Sequence, residues 1–291
     1  MKGDRTATGY FVGMTTLDYV YYSSEYPERN GKIKIGDYRR FIGGPAANAA
    51  ITYSLLGGRA VLITCLGVSD EAGMAVESLK SYGVETVNCA ADDALLNISS
   101  IIVDYDGSRT IFSGQRRFDK LLCEPEYIRE KTERFGKPDF CLFDMNQQEM
   151  SLKLLDMAGC PVVVDAGSMK DNAMRFVEKA EIVISSENFK TADGKTVFEM
   201  DECRNARKAV TRGGKPIIYD GGELAVRNTE CVDTLAAGDI FHGAFCFGYY
   251  NEKKEFAQAL LYAAEIAGES VKYAGPRQWA LERGLCDRAE N

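Results

Sequence analysis

Apolar, β-branched runs recur along the chain: YFVG (10–13), AVLITCLG (60–67), FCLFD (140–144), VVVD (162–165), IVIS (182–185) and IIYD (217–220). None alternates apolar with polar positions, which is the pattern of strands covered on both faces, and amphipathic stretches at helical spacing lie between them. This order predicts an α/β fold with a mostly parallel central sheet. Two stretches break the rhythm. Residues 19–42 and 95–113 are rich in Tyr, Ile and Thr, alternate in part, and carry the turn signals Asn30-Gly31 and Asp106-Gly107. Neither has room for a crossover helix, so they read as antiparallel excursions that pair into a small β-sheet lid, or else as edge strands of the main sheet. No repeat, low-complexity tract or Pro-rich linker divides the sequence, and residues 1–291 are expected to form a single domain carrying that lid.

Composition narrows the function. With 35 Lys and Arg against 43 Asp and Glu the net charge is −8, which argues against a nucleic-acid partner, whose phosphates need a basic face. A chain of 291 residues, 45% of them hydrophobic, buries roughly three-quarters of its unfolded surface, enough for one large core and an appendage. The nine cysteines contain no CxxC pair, and no segment has the apolar length of a signal peptide or a membrane span. A soluble, cytoplasmic chain with reduced thiols and no membrane partner is the expectation. The single histidine, His242, rules out multi-histidine zinc sites and HExxH proteases. Chemistry is expected on carboxylates and backbone N–H groups.

The most informative segment is CVDTLAAGDIFHGAFCFGYY (231–250). Small residues from Thr234 to Gly238 precede a helical pattern opened by Asp239, and a helix start lined by small residues lets its free N–H groups approach an anion. A carboxylate there is either an N-cap or a base that takes a proton from an attacking hydroxyl. A second Gly-rich turn, FIGGPAANAA (41–50), opens a helix at Pro45 and sets Asn48 one turn in, either as a surface residue or as a ligand group. Gly13 and Asp18 flank the exit of the first strand, and ligands of open α/β sheets bind beyond the carboxyl ends of strands. Neither GxxxxGK[ST] nor GxGxxG after a strand occurs, and RGGKP (212–216) runs into a strand instead of a helix.

In this order these segments resemble the PfkB, or ribokinase-like, carbohydrate kinase family: GMTTLD in the first strand, FIGGPAANAA as the N-terminal Gly-Gly-x-x-x-Asn signature, CLGVSDEAG as a strand-to-helix turn, and DTLAAGDIFHGAF as the C-terminal signature. The resemblance covers roughly residues 8–277. It implies a three-layer fold and phosphorylation of a small sugar, a ketohexose, pentose or related furanose, by ATP with Mg²⁺. Asp239 would be the general base, and the N–H groups of Ala236, Ala237 and Gly238 would hold the transferring phosphate. Asp18, Asn48, Gly43 and Gly44 would hold the sugar. A monovalent cation such as K⁺ would sit near Asp233 and the Ala274–Gly275 loop, and the lid would close over sugar and form a homodimer contact.

Two places depart from the family pattern. The Asn-x-x-Glu element that orders Mg²⁺ and phosphate appears as Ser186-Glu187-Asn188-Phe189, leaving Glu187 and Asn188 as substitutes. Between Pro216 and Asp233 the usual strand, Thr-Leu-Gly-type phosphate loop and hairpin look compressed, with Asp220-Gly221-Gly222 standing in for the loop, where an acidic side chain repels phosphate. The alternative is therefore a kinase-fold sugar or metabolite binder with a decayed nucleotide site; a nucleoside kinase is a further variant. Arg116 and Arg117 read as surface residues or as a clamp for an anionic substrate, and Tyr21, Tyr22 and Tyr26 as lid core, dimer contacts or a sugar platform. His242 and Trp279 read first as packing residues. Asp144 and Asp165 end strands on the ligand side, where each either lines the pocket or caps a helix.

Overall fold

A computed structural model describes residues 5–23, 25–26, 28–91, 96–104, 109–114 and 118–287. The Asp106-Gly107 turn signal and the Arg116-Arg117 pair lie outside the described residues. The chain runs through β1 (Thr8–Val12), β2 (Thr16–Tyr22), β3 (Tyr38–Gly43), α1 (Pro45–Leu55), β4 (Arg59–Thr64), α2 (Asp70–Ser81), β5 (Glu85–Asn88), β6 (Asn97–Val103) and β7 (Arg109–Ser113). It continues with α3 (Pro125–Thr132), β8 (Phe140–Phe143), α4 (Gln148–Met157), β9 (Val162–Ala166), α5 (Ala173–Lys179), β10 (Ile182–Ser186), β11 (Arg207–Arg212), β12 (Lys215–Tyr219) and β13 (Gly222–Leu224). Helices α6 (Ala237–Cys246), α7 (Phe256–Ser270) and α8 (Gln278–Glu282) close the fold.

The main sheet has the order β13-β12-β11-β10-β9-β8-β1-β4-β5. From β11 to β5 every pair is parallel; only β11–β12 and β12–β13 are antiparallel. Burial alternates along β1: Phe11 enters the core under α1, α6 and α7, while Tyr10 and Val12 enter the core under α3, α4 and α5. Helices on both faces make the predicted three-layer α/β architecture, and they explain why the strand runs lack a polar face. At α2 the Ser69 hydroxyl accepts from the Ala72 N–H at 3.3 Å, and Asp70 and Glu71 in the first turn complement the helix dipole. Among the described residues no helix is long and apolar enough to cross a membrane.

IIYD departs from its predicted part. It is β12, an antiparallel strand, and the parallel neighbour of β10 is β11, whose sequence RKAVTR hides its character behind charged ends.

The two anomalous stretches do form a separate four-stranded sheet, β3-β2-β6-β7. β2–β3 and β6–β7 are antiparallel as expected, but β2 and β6, which join the two halves, run parallel. The sheet also begins earlier than the sequence pattern suggests, at Thr16, so Asp18 belongs to lid strand β2. Val20, Phe41, Ile101 and Val103 on one lid face pack against Leu235, seating the lid on the segment that leads into α6.

Candidate active site

Residues at the carboxyl ends of β9 and β10 meet α6, and the residue just beyond β8 meets the start of α1. Asp144, just beyond β8 and 1% exposed, accepts from the N–H groups of Met14 at 2.9 Å, Ala46 at 3.1 Å and Asn146 at 2.7 Å. It therefore caps α1 from a distant strand. A Cβ on Gly13 would lie 2.0 Å from its Oδ1, so the first strand can pass this carboxylate only as glycine. Burial raises the Asp144 carboxyl above its ordinary value, opposed by Lys170 and by the N–H groups it receives.

Helix α1 starts at Gly44, whose φ of 95° is open to glycine, with Pro45 in the first turn. A side chain on Gly44 would meet the Met14 carbonyl at 2.4 Å, and one on Gly43 would meet Asp18 Oδ2 at 2.0 Å. The two glycines let the chain cross close to the Asp18 carboxylate. Asp18 is 7% exposed and accepts from the Thr16 hydroxyl at 2.6 Å. Burial raises its carboxyl above the ordinary range, opposed by bonds from Thr16 and Ser99 and by the charge of Arg277.

From α1, Asn48 reaches across to α6 and donates through Nδ2 to Asp239 Oδ2 at 2.7 Å. The close approach of the two helices depends on Gly243, where a Cβ would lie 2.4 Å from the Ala49 carbonyl. Burial, with the neighbouring Asp165 carboxylate, pushes Asp239 up to about 7; the Asn48 bond, His242 and Arg109 pull the other way. A carboxyl poised there alternates between proton acceptor and donor near neutral pH, as a general base requires. His242 packs on the helix: Nδ1 lies 2.7 Å from the Gly238 carbonyl and 3.5 Å from Asp165, and Nε2 lies 3.2 Å from the Ile184 carbonyl. Both ring nitrogens are thereby engaged within the protein.

Ala236 enters α6 with φ 60°, a left-handed conformation that disfavours side chains. The Ala237 N–H turns back to the Thr234 carbonyl at 3.2 Å and is not free for an anion. The N–H groups of Gly238 and Asp239 fall in the first turn, where helix geometry supplies no acceptor, and open space lies over Gly238. Asp233, 2% exposed, accepts from Leu235 N–H at 2.8 Å, Gly275 N–H at 2.9 Å and the Tyr22 hydroxyl at 3.2 Å. Through these bonds Asp233 ties lid strand β2 and the Gly275 turn to the segment that leads into α6.

At the ends of β10 and β11, Glu187 donates its N–H to Thr211 and its side chain pairs with Lys215 at 3.7 Å, while the Asn188 N–H meets Ser186 Oγ at 3.1 Å. The loop at this end of the sheet is Gly213-Gly214, after β11. Gly221 and Gly222 lie elsewhere. β12 runs backwards, Tyr219 pairs with Ala209, and the Lys208 N–H bonds Asp220 at 2.6 Å, so this turn sits at the amino end of β11, away from Asp239. The place expected for them in nucleotide binding is a misreading of strand direction. Strand, glycine loop and hairpin are all present as β11, Gly213-Gly214 and β12–β13, and Asp220 is held by the Lys208 N–H and, at 3.6 Å, by its ammonium group.

Two residues unmarked by any sequence signal join the site. Arg109 of lid strand β7 donates to the Thr234 carbonyl at 2.6 Å and hydroxyl at 2.5 Å. Arg277, 1% exposed, donates to Asn48 Oδ1 at 2.6 Å and to the Ile42 carbonyl at 2.9 Å. Trp279 packs as expected, with its indole N–H on the Pro276 carbonyl at 3.1 Å, and Tyr26 is 42% exposed at the lid edge.

Comparison with known proteins sets this geometry in a family. The family model described as pfkB family carbohydrate kinase matches residues 10–282. The chain is 26% identical to a ribokinase of Dictyostelium discoideum over 305 aligned positions, covering 91% of this chain and 94% of the relative. Among solved structures, ribokinase from Thermotoga maritima superposes with a TM-score of 0.74 at 19% identity, over 97% of this chain and 99% of that one. Arabidopsis thaliana ribokinase complexed with ribose and ATP gives a TM-score of 0.70 at 18% identity, over 98% and 99%. A carboxyl poised near neutrality beside an open helix N-terminus is what phosphoryl transfer to a hydroxyl needs, and with a family match spanning most of its length the chain belongs to the pfkB family of carbohydrate kinases, phosphotransferases whose acceptor is an alcohol group.

Proposed function

We propose that this chain transfers the γ-phosphoryl group of ATP to a hydroxyl of a small sugar, a ketohexose, pentose or related furanose, with Asp239 as general base. The observation that carries the reading is Asp239 itself, held by Asn48 at 2.7 Å at the start of α6 with its carboxyl near neutrality. Asp18, Asn48 and the Gly43-Gly44 backbone hold the sugar. Asp239 takes the hydroxyl proton as that oxygen attacks phosphorus and the bond to the ADP oxygen breaks. The N–H groups of Gly238 and Asp239 and the α6 dipole stabilise charge on the transferring group. Exposed Glu187 and Asn188 offer the hard oxygen donors that suit Mg²⁺ shared with phosphate, and the ion would neutralise phosphate charge. Residues 1–291 act as one domain with its lid, in the cytoplasm.

Exposed Tyr38 and Phe112, which share the lid face turned away from Leu235, support a homodimer through that sheet. Phe112→Asp is expected to halve the mass measured by light scattering.

ADP release over a panel of sugars, sugar phosphates and nucleosides with Mg²⁺-ATP, with and without K⁺, tests the function. Turnover on a sugar supports it, and turnover on nucleosides alone turns the reading to a nucleoside kinase. No turnover, together with no thermal shift from ATP, overturns it in favour of a binding protein.

A further inference from the structure

Arg277 follows the Gly275-Pro276 turn and is buried; its hydrogen-bond partners are neutral, the carbonyls of Ile42 and Pro276 and Asn48 Oδ1, the Tyr82 ring lies 5.7 Å from the guanidinium carbon, and its charge also reaches the Asp18 carboxyl. Its Nε is buried without a hydrogen-bond partner. Burying a charge is expensive even when dipoles surround it, so an arginine here stabilises little by itself. Its effect falls on the Asn48 amide. Guanidinium is donor-only, whereas an amide has one accepting and one donating end. With Oδ1 held by Arg277, Nδ2 must turn to Asp239. The reversed amide sets donor against donor at Arg277 and oxygen against oxygen at Asp239.

We propose that Arg277 is a positioning residue that fixes the polarity of the Asn48 amide and thereby keeps a hydrogen-bond donor on the Asp239 carboxylate. The groups facing that carboxylate are Asn48 from α1, Asp165 from β9, His242 from α6 and Arg109 from β7. Of these, only the Asn48 amide has two orientations with opposite effects on the proton. Without Arg277 the amide is free to rotate, and burial and Asp165 act on Asp239 unopposed by it.

The catalytic consequence rests on the proposed role of Asp239, but the test does not require turnover. The full chain, labelled with ¹³C at aspartate carboxylates, is titrated by NMR, and Asp239→Asn identifies the signal. Arg277→Gln is expected to raise the Asp239 midpoint by about one pH unit. Arg277→Lys, which keeps a donor-only cation, is expected to raise it by less, and in an Asn48→Ala background neither change moves it further. The midpoint is read from folded protein only, and the lysine variant with its Asn48→Ala partner decides the matter should the glutamine variant not fold. An unmoved midpoint, or an equal shift with and without Asn48, overturns the proposal. Absence of turnover on every substrate would instead count against the kinase reading and leave this titration intact.

Discussion

Asp239→Asn is expected to lower kcat by about 10²–10⁴-fold, the usual contribution of a positioned base, while sugar affinity measured by calorimetry stays close to that of the parent. The new amide oxygen still accepts from Asn48, so the helix start is preserved. The parent kcat/KM should fall with acid below a midpoint near 7, as Asp239 takes up its proton, and the variant's residual rate should lack that limb. Stability provides the control. Because the folded state raises this carboxyl, it binds an extra proton between the ordinary aspartate range and about pH 7, and stability contributed by the neutral form is lost as pH rises through that window. The variant escapes this loss, so its melting temperature should exceed the parent's at pH 8 and approach it at pH 4. Lower activity with a lower melting temperature at pH 8 would point to a structural part for Asp239.

Gly243→Ala should be among the costliest small substitutions in the chain. Alanine improves helix propensity by about 1 kcal/mol over glycine. Here its methyl would lie 2.4 Å from the Ala49 carbonyl and 2.8 Å from Thr52 Cβ, and the first of these is backbone that cannot rotate aside. Overpacking costs roughly 1–3 kcal/mol, so the steric term wins and a urea melt should show a net loss. Relief comes only from moving α6 away from α1, which stretches the Asn48–Asp239 bond. Activity should fall further than the unfolded fraction explains. An alanine variant as stable as the parent would mean that the two helices are less tightly apposed than described.

The sequence legibility of this fold follows from burial. β1, β8, β9 and β10 are buried almost throughout and read as uninterrupted apolar runs, whereas β5 and β11 carry polar or charged residues at their ends and escaped notice. Missing β11 had a larger effect than one lost strand. It made β12 look parallel, moved the glycine loop to Gly221-Gly222, and made the nucleotide side seem short. Asp239 was marked by the small residues before a helix, a local signal that by itself left a cap and a base equally open until the family signature was set beside it. Arg277 and Arg109 were not, since they meet their partners across 229 and 125 residues, and no local pattern marks such contacts.

Asp18 rides on the lid strand β2, while Asn48 and Asp239 belong to the body helices α1 and α6. On the proposed reading, a sugar held by all three would be a crossbar between the lid sheet and the body helices. It cannot leave while the lid is down, and the lid cannot lift without breaking its bonds to the sugar. On this account product escape and lid opening are one event, so tightening the grip of Asp18 would slow the cycle after chemistry is finished, and substitutions in β2 would set the turnover ceiling without touching the reacting atoms.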